Sequence, residues 1–381
     1  MVFYVKQGEI PESRHTFDSR EKLLREELFG EESFDGPYSL IYHRDEPTRV
    51  VDVKDAPKEN FVSSEKKSHR HLHLETQKLK RHGDIFSGRD YLLYNNRVRL
   101  GTTRPERNPE TYMRHAVCEI LMFIHSGKGV LYSSFGALKF KGNDYLYIPK
   151  GTTWYMEHSN DLEIFFLESM DRISIPKRYL NVYGQLIEGT PYYSRDFIVP
   201  NLSAGMKMPG RNTVLIDYDD SFVIEERDRK FFDTAGWDGY LYPFAISVDS
   251  MAPIVGKLHQ PPPVHETFSG KSFMVGTFLP RLFDFHPRSI PISYYHNNID
   301  TDEVLFYSSG NFMSRRGISR GSITMHTRGI IHGPQPGAVE SAIGKKETDE
   351  IAVMVEAYDP LIPTEKAEKI SDPNYMKSWI S

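Results

Sequence analysis

From about Tyr91 to the segment EIAVMVEAYDPL at 350–361, short runs of Val, Ile, Phe and Tyr alternate with Gly, Pro, Asn and Asp. β-Branched and aromatic runs of this length, stopped by residues that suit turns, are the pattern of β-sandwiches and barrels. The chain is therefore expected to be all-β, in more than one unit. One stretch departs from that pattern. DSREKLLREELF, residues 18–29, carries helical spacing behind an Asp or Ser start, so one short amphipathic N-terminal helix is expected there.

A weak internal repeat sharpens the reading. HAVCEILMFIHSGKGVLYSSFGALKFKGNDYLYIPKGTTW (115–154) and HNNIDTDEVLFYSSGNFMSRRGISRGSITMHTRGIIHGP (296–334) run in parallel. Each has a histidine, a glutamate (Glu119, Glu303), an apolar strand, a glycine (Gly127, Gly310) and a hairpin, and then a glycine turn leading to Trp154 or His332. The shared pattern resembles the cupin family, whose two motifs place ligands on neighbouring strands of a small barrel. The fold expected is two cupin-like β-barrel or sandwich units, a bicupin. Where the second copy has His332 the first has Trp154, so the first is expected to be degenerate and metal-free.

At 381 residues the chain suits two or three domains. The polar stretch DYDDSFVIEERDRKFFDTAG at 217–236 is expected to be a solvated surface segment, and a boundary is placed near its end. This gives an N-terminal domain at 1–235 and a C-terminal catalytic domain at 236–381. A net charge of −5 gives no support for a nucleic-acid partner, which needs a clustered basic surface. No apolar run approaches bilayer length, and the N-terminus lacks the charged and apolar regions of a secretory signal. The single cysteine, Cys118, allows no intrachain disulfide and fits a reducing cytoplasm. A cytoplasmic protein without membrane attachment is the expectation.

Chemistry concentrates in the second copy. Inward-facing side chains of a barrel converge on a common axis, so residues distant in sequence can meet at one ion. His296, Glu303 and His332 supply two imidazoles and a carboxylate, the set that holds non-haem Fe(II) while leaving positions open for substrate and dioxygen. Asp302 is an alternative carboxylate, and His326 could exchange roles with His332. Upstream, GKLHQPPPVHETF (256–268) stiffens the chain between His259 and His265, as suits a group held for acid or base work. In SHRHLHLE (68–75), His69, His71 and His73 alternate as they would on an exposed strand face, and they are left outside the site.

WDGYLYPF, LHQPPPVHETF, FLPRLFDFHP, YYHNNIDTDEV, GSITMHTRGIIHGP and the strand IAVMVEAYDPL together resemble the homogentisate 1,2-dioxygenases, most closely the shorter bacterial-type branch. The resemblance covers residues 237–361 well and the first domain loosely. It implies Fe(II), dioxygen and cleavage of the homogentisate ring to maleylacetoacetate, in tyrosine and phenylalanine breakdown. The family's metal ligands fall on His296, Glu303 and His332, with one extra residue between the first histidine and the acid. Its acid/base histidine falls on His259 better than on His265, and a histidine near the substrate falls on His326. Many members have a substrate-contacting tyrosine where this chain has Phe312, whose ring cannot hydrogen-bond. Arg315, Arg316 or another donor would then replace it, or the ring is a different one, such as gentisate or another hydroxylated aromatic acid. A cupin that binds a small ligand without catalysis is the remaining reading. The family forms trimers that stack into hexamers, so a homo-oligomer is expected.

Overall fold

The computed structural model describes residues 3–58, 61–65, 69–209, 212–261, 265–312, 314–315 and 317–380. Two antiparallel sheets built to one plan carry its centre. In the first, Glu119–Ser126 lies between Asp144–Ile148 and Glu163–Ser169, followed outward by Val98–Thr103 and Arg89–Tyr94. In the second, Asp302–Ser309 lies between Ile323–His326 and Ile351–Ala357, followed outward by Phe273–Phe278 and Glu266–Ser269. The two orders correspond strand for strand, which is the duplication visible in the sequence. Gly127 and Gly310 end the two central strands at φ of +85° and +90°, where a side chain would be strained. At Gly310 a Cβ would also lie 2.4 Å from the Asp349 carbonyl oxygen.

The two units exchange strands. Leu72–Leu74, from early in the chain, pairs with Ile323–His326 at the edge of the second sheet. Ile362–Pro363, from late in the chain, pairs with Arg89–Tyr94 of the first. Residue 236 lies inside Thr234–Gly239, which pairs with Val5–Gly8 and Asp35–His43.

Alternation along the central strands decides what each unit buries. Leu121 and Phe123 join Val304 and Phe306 in a core shared between the sheets, where the Phe165 and Phe306 rings stack 4.9 Å apart. Burying each such ring is worth about 2 kcal/mol. Ile120, Met122 and Ile124 face the other way, into the core beneath a seven-stranded sheet that includes Tyr112–His115 and Thr213–Asp217. On the second central strand the opposite face presents Leu305 and Tyr307, together with Glu303, to the candidate site.

The helix expected at 18–29 does not form. The Asp18 carboxylate accepts from the Arg20 and Lys22 backbone N–H groups, a local turn that competes with helix. Arg25–Glu32 then forms a hairpin with Asp35–His43, and tertiary pairing overrides the local spacing. The 217–236 stretch is not a solvated segment either. Phe222–Arg227 is a strand, Asp217 and Glu225 are buried, and these pair with Lys58 and with Arg114 and Arg227.

Asp233 and Glu27 hold buried His43 between them at 2.7 and 2.6 Å. Burial opposes charge on the ring, but the two hydrogen bonds outweigh it and raise the His43 pKa to about 9. A folded-state value above the unfolded value stabilises most below the unfolded pKa, and that gain disappears as pH rises through about 9. Relative to His43→Gln, the protein should lose about 2 kcal/mol of stability between pH 6 and 9.5, allowing for the exposure of Glu27. Urea midpoints measured across that range for both proteins check it, and parallel curves would contradict it.

Candidate metal centre

Glu303 is the second residue of the strand Asp302–Ser309; His296 lies in the segment before that strand and His332 in the segment after Ile323–His326, at the same end of the sheet. These two segments are tied together. The His296 and His332 backbones exchange hydrogen bonds of 2.9 and 3.0 Å, and their rings lie 4.3 Å apart. Each ring turns Nδ1 toward a nearby backbone carbonyl, that of Tyr294 at 3.2 Å for His296 and of Ile330 at 3.1 Å for His332. An N–H at Nδ1 fixes the tautomer and leaves the Nε2 lone pair for another partner. One atom from each of His296, Glu303 and His332 lies within 4.8 Å of the others. Among the described residues this is the one such grouping of three.

Glu303 is buried, which by itself favours the neutral acid, but the imidazoles around it, His326 Nδ1 at 2.6 Å, His296 Nε2 at 3.4 Å and His332 Nε2 at 3.6 Å, outweigh that and hold its pKa well below the usual range. His326 approaches it from behind, with Nδ1 2.6 Å from Glu303 Oε1 and Nε2 3.1 Å from the Tyr375 hydroxyl. Burial above all pushes the His326 pKa down to about 3, so a neutral ring donates from Nδ1 and accepts at Nε2. His326 thus orients the carboxylate and does not replace His332. Asp302 points to the other face. Its Oδ1 accepts from the Arg328 N–H groups and its Oδ2 from the Leu361 N–H, so it is a structural residue.

The cavity beside the trio has a volume of about 100 Å³. His259, His265, Arg281, Tyr307 and Arg315 line it, with Phe278, Ile292, Leu305 and Met354 supplying apolar wall. His259 packs edge-on against Tyr294 at 5.4 Å, and its buried Nε2 has no hydrogen-bond partner. Burial lowers its pKa below the ordinary imidazole value. Burial likewise takes His265, packed on Phe278 at 5.1 Å, down to about 3. Arg315 donates to the Gly333 carbonyl and keeps a buried Nε without a partner. Phe312 packs on Tyr307 at 4.8 Å in an apolar cluster behind the wall, and neither it nor His326 is among the residues lining the cavity. Arg316 and the prolines at 262 and 263 lie outside the described residues.

The alternating histidines are not an exposed strand face. His69 is exposed, but His71, just before the edge strand Leu72–Leu74, and His73, within it, are buried. The His71 ring stands edge-on to His332 at 5.4 Å and to His326 at 5.3 Å, and Nδ1 accepts from the Thr327 N–H. The apolar residues between these histidines carried the signal that was missed: an H-L-H-L strand has one covered face at least. Trp379 and Tyr375, from the C-terminal turn, close over the same cluster. His71→Ala should weaken metal retention about tenfold while leaving the three donor residues in place. Competition with a calibrated chelator measures this, and unchanged retention would contradict a supporting role for His71.

In the first unit the corresponding residues part company. His115 and Trp154 stack at 6.1 Å, but Glu119 turns to the Ile173 N–H at 2.7 Å. The Arg89 guanidinium occupies the space next to His115 Nε2, at 2.9 Å.

No family model matches the chain. A protein of Saccharolobus solfataricus with the name "Putative dioxygenase SSO1533" is 45% identical over 383 residues, an alignment spanning 100% of this chain and 99% of that protein. Human homogentisate 1,2-dioxygenase is 24% identical over 281 residues, covering 68% of this chain and 62% of the human enzyme. Among solved structures, a cupin 2 conserved barrel domain protein from Leptotrichia buccalis covers 79% of this chain and is itself covered in full, at 6% identity and a TM-score of 0.38.

Proposed function

The chain belongs to the family of the Saccharolobus solfataricus dioxygenase-named protein, and on that premise we propose that it is a non-haem Fe(II) dioxygenase that opens the ring of a hydroxylated aromatic acid, homogentisate in the first instance, to give maleylacetoacetate. The observation that carries the reading is the donor set. Two imidazoles turn Nε2 toward one ionised carboxylate, His296 at 3.4 Å from it, and His332 Nε2 is buried without a hydrogen-bond partner. A buried orphan of that kind calls for a ligand, and the combination suits ferrous iron with open positions. When bound, Fe(II) supplies a redox-active Lewis acid that favours ionisation of a phenol and lets dioxygen react beside it.

The protein's residues do the rest. His259, neutral and with Nε2 unpartnered, is positioned to take the phenolic proton. Arg281 and Arg315 on the cavity wall would hold the substrate carboxylate, and Arg315 Nε is an available donor for it. Leu305, Phe278, Ile292 and Met354 keep the ring in an apolar space from which water is displaced. Holding ring and oxygen together in that space replaces a chance encounter by a fixed geometry.

A cavity of about 100 Å³ also favours a second reading, gentisate, which is one methylene shorter than homogentisate. Anaerobic loading with Fe(II), followed by oxygen uptake on adding each acid in turn, separates the two. Uptake with homogentisate and formation of maleylacetoacetate supports the first reading. Uptake with gentisate alone supports the second, and no uptake with any such acid at full iron occupancy rejects both. His259→Ala should retain iron and lose about a hundredfold or more in kcat, and a variant that turns over normally would remove His259 from the mechanism.

A further inference from the structure

The larger cavity is in the other unit. It has a volume of about 600 Å³, within the range of roughly 300–1,000 Å³ in which small-molecule sites fall. Its polar wall is built from buried charges. Arg89 donates through Nη1 to Glu168 at 2.6 Å and to His115 at 2.9 Å, and through Nε to the Ile85 carbonyl at 3.2 Å. Tyr91 donates to the same Glu168 oxygen at 2.9 Å. These contacts fix the guanidinium and leave its Nη2 buried with no partner, on a side chain that is 3% exposed.

The charges around this donor are matched: Arg89 pairs with Glu168, Lys58 with Asp217, and Arg99 with Glu168 and the half-exposed Asp219. At the rim the charges cancel in pairs, Lys366 with Asp90, Lys369 with Glu365 and Arg107 with Asp84. What is left over is a donor rather than a charge: Arg89 Nη2, on a cationic group and without a partner, calls for an acceptor, and a carboxylate oxygen is the strongest one for a guanidinium. The apolar part of the wall is Phe61, Phe86, Met113, Leu215 and Phe222. Phe86 is braced edge-on by Trp154 at 4.9 Å, so the residue standing where the second unit has a metal ligand shapes this wall.

We propose that the N-terminal unit is a second binding site, which takes a small aromatic carboxylate with its anionic group on Arg89 Nη2 and its ring among Phe61, Phe86 and Phe222. The site is independent of the metal centre and of the reaction proposed for it.

Titration calorimetry on the full-length, metal-free protein tests this with benzoate and its neutral isostere benzamide. Benzoate should bind at one site with a Kd of about 1 mM or below, and benzamide about tenfold more weakly. Leu215→Trp, which fills the cavity from a half-buried position, should weaken benzoate about tenfold or more. Ser293→Trp, which plugs the cavity beside the metal centre, should leave it unchanged. The assignment is overturned if benzoate does not bind at about 20 mM, if benzamide binds equally well, or if the loss follows Ser293→Trp instead. Should Leu215→Trp fail to fold, Arg89→Lys takes its place. It keeps the charge beside Glu168 while removing Nη2, and undiminished benzoate binding to it overturns the proposal.

Discussion

His332→Ala is expected to leave a folded protein that binds no iron and turns over no substrate. Its ring is buried, yet Nε2 has no hydrogen-bond partner to lose. Its Nδ1 contact is to the Ile330 carbonyl, which a water can satisfy once the ring is gone, and the backbone pairing with His296 needs no side chain. The structural cost should therefore stay near 1–2 kcal/mol. The functional cost should be far larger, because a two-donor remnant of His296 and Glu303 gives up one of three ligands. Iron content should fall from about one per chain to near zero, and kcat/KM by about a thousandfold or more. Metal analysis after anaerobic loading, with a thermal melt on the same sample, reads both quantities. Full iron content in the folded variant would mean that the donors were wrongly assigned.

The opposite profile is expected one residue before Glu303. Asp302→Ala should destabilise strongly and leave the metal centre alone. Its carboxylate accepts from the Arg328 backbone N–H and Nε and from the Leu361 N–H, joining the two turns that flank the strand. Removing it leaves two backbone donors unsatisfied, one of them buried, and breaks an ion pair, a loss of about 3 kcal/mol. Glu303→Gln should invert this, losing iron at little cost in stability. Paired urea melts and iron titrations on the two variants decide which carboxylate serves the ion. Iron loss in the Asp302 variant with the fold intact would exchange the roles given to them here.

Strand alternation explains why these neighbours differ, and it also explains what was legible in the sequence. Positions 302 and 303 point to opposite faces of one strand, so types and order could name both acids as candidates while only the pairing with Ile323–His326 and Ile351–Ala357 separates them. The duplicated unit was readable because Gly127 and Gly310, and the apolar runs before them, recur at matching places. The trio of His296, Glu303 and His332 was readable because its members fall inside that repeat. His71 was not. It reaches the site from about 260 residues away through an edge strand that the two units exchange, and no local pattern encodes that pairing. The misread helix at 18–29 has the same cause, since the hairpin partner of Arg25–Glu32 lies beyond the window in which its spacing looks helical. In the 217–236 stretch, charge density suggested solvent, whereas Asp217 and Glu225 are buried by their cationic partners.

The role of Phe312 also changes with its surroundings. Packed behind Tyr307, it is not among the residues lining the cavity, and the polar residues that do line it include Arg281 and Arg315. Absence of a tyrosine at 312 therefore leaves donors for a substrate carboxylate or phenol in reach.

The most direct test of the central claim is a crystal structure of protein loaded anaerobically with Fe(II), with the metal located by anomalous scattering at the iron edge. One ion should appear about 2 Å from His296 Nε2, a Glu303 oxygen and His332 Nε2, with the His259 side of its coordination sphere open. An ion held elsewhere, or these three side chains turned away from one another around an iron-free centre, would contradict the account.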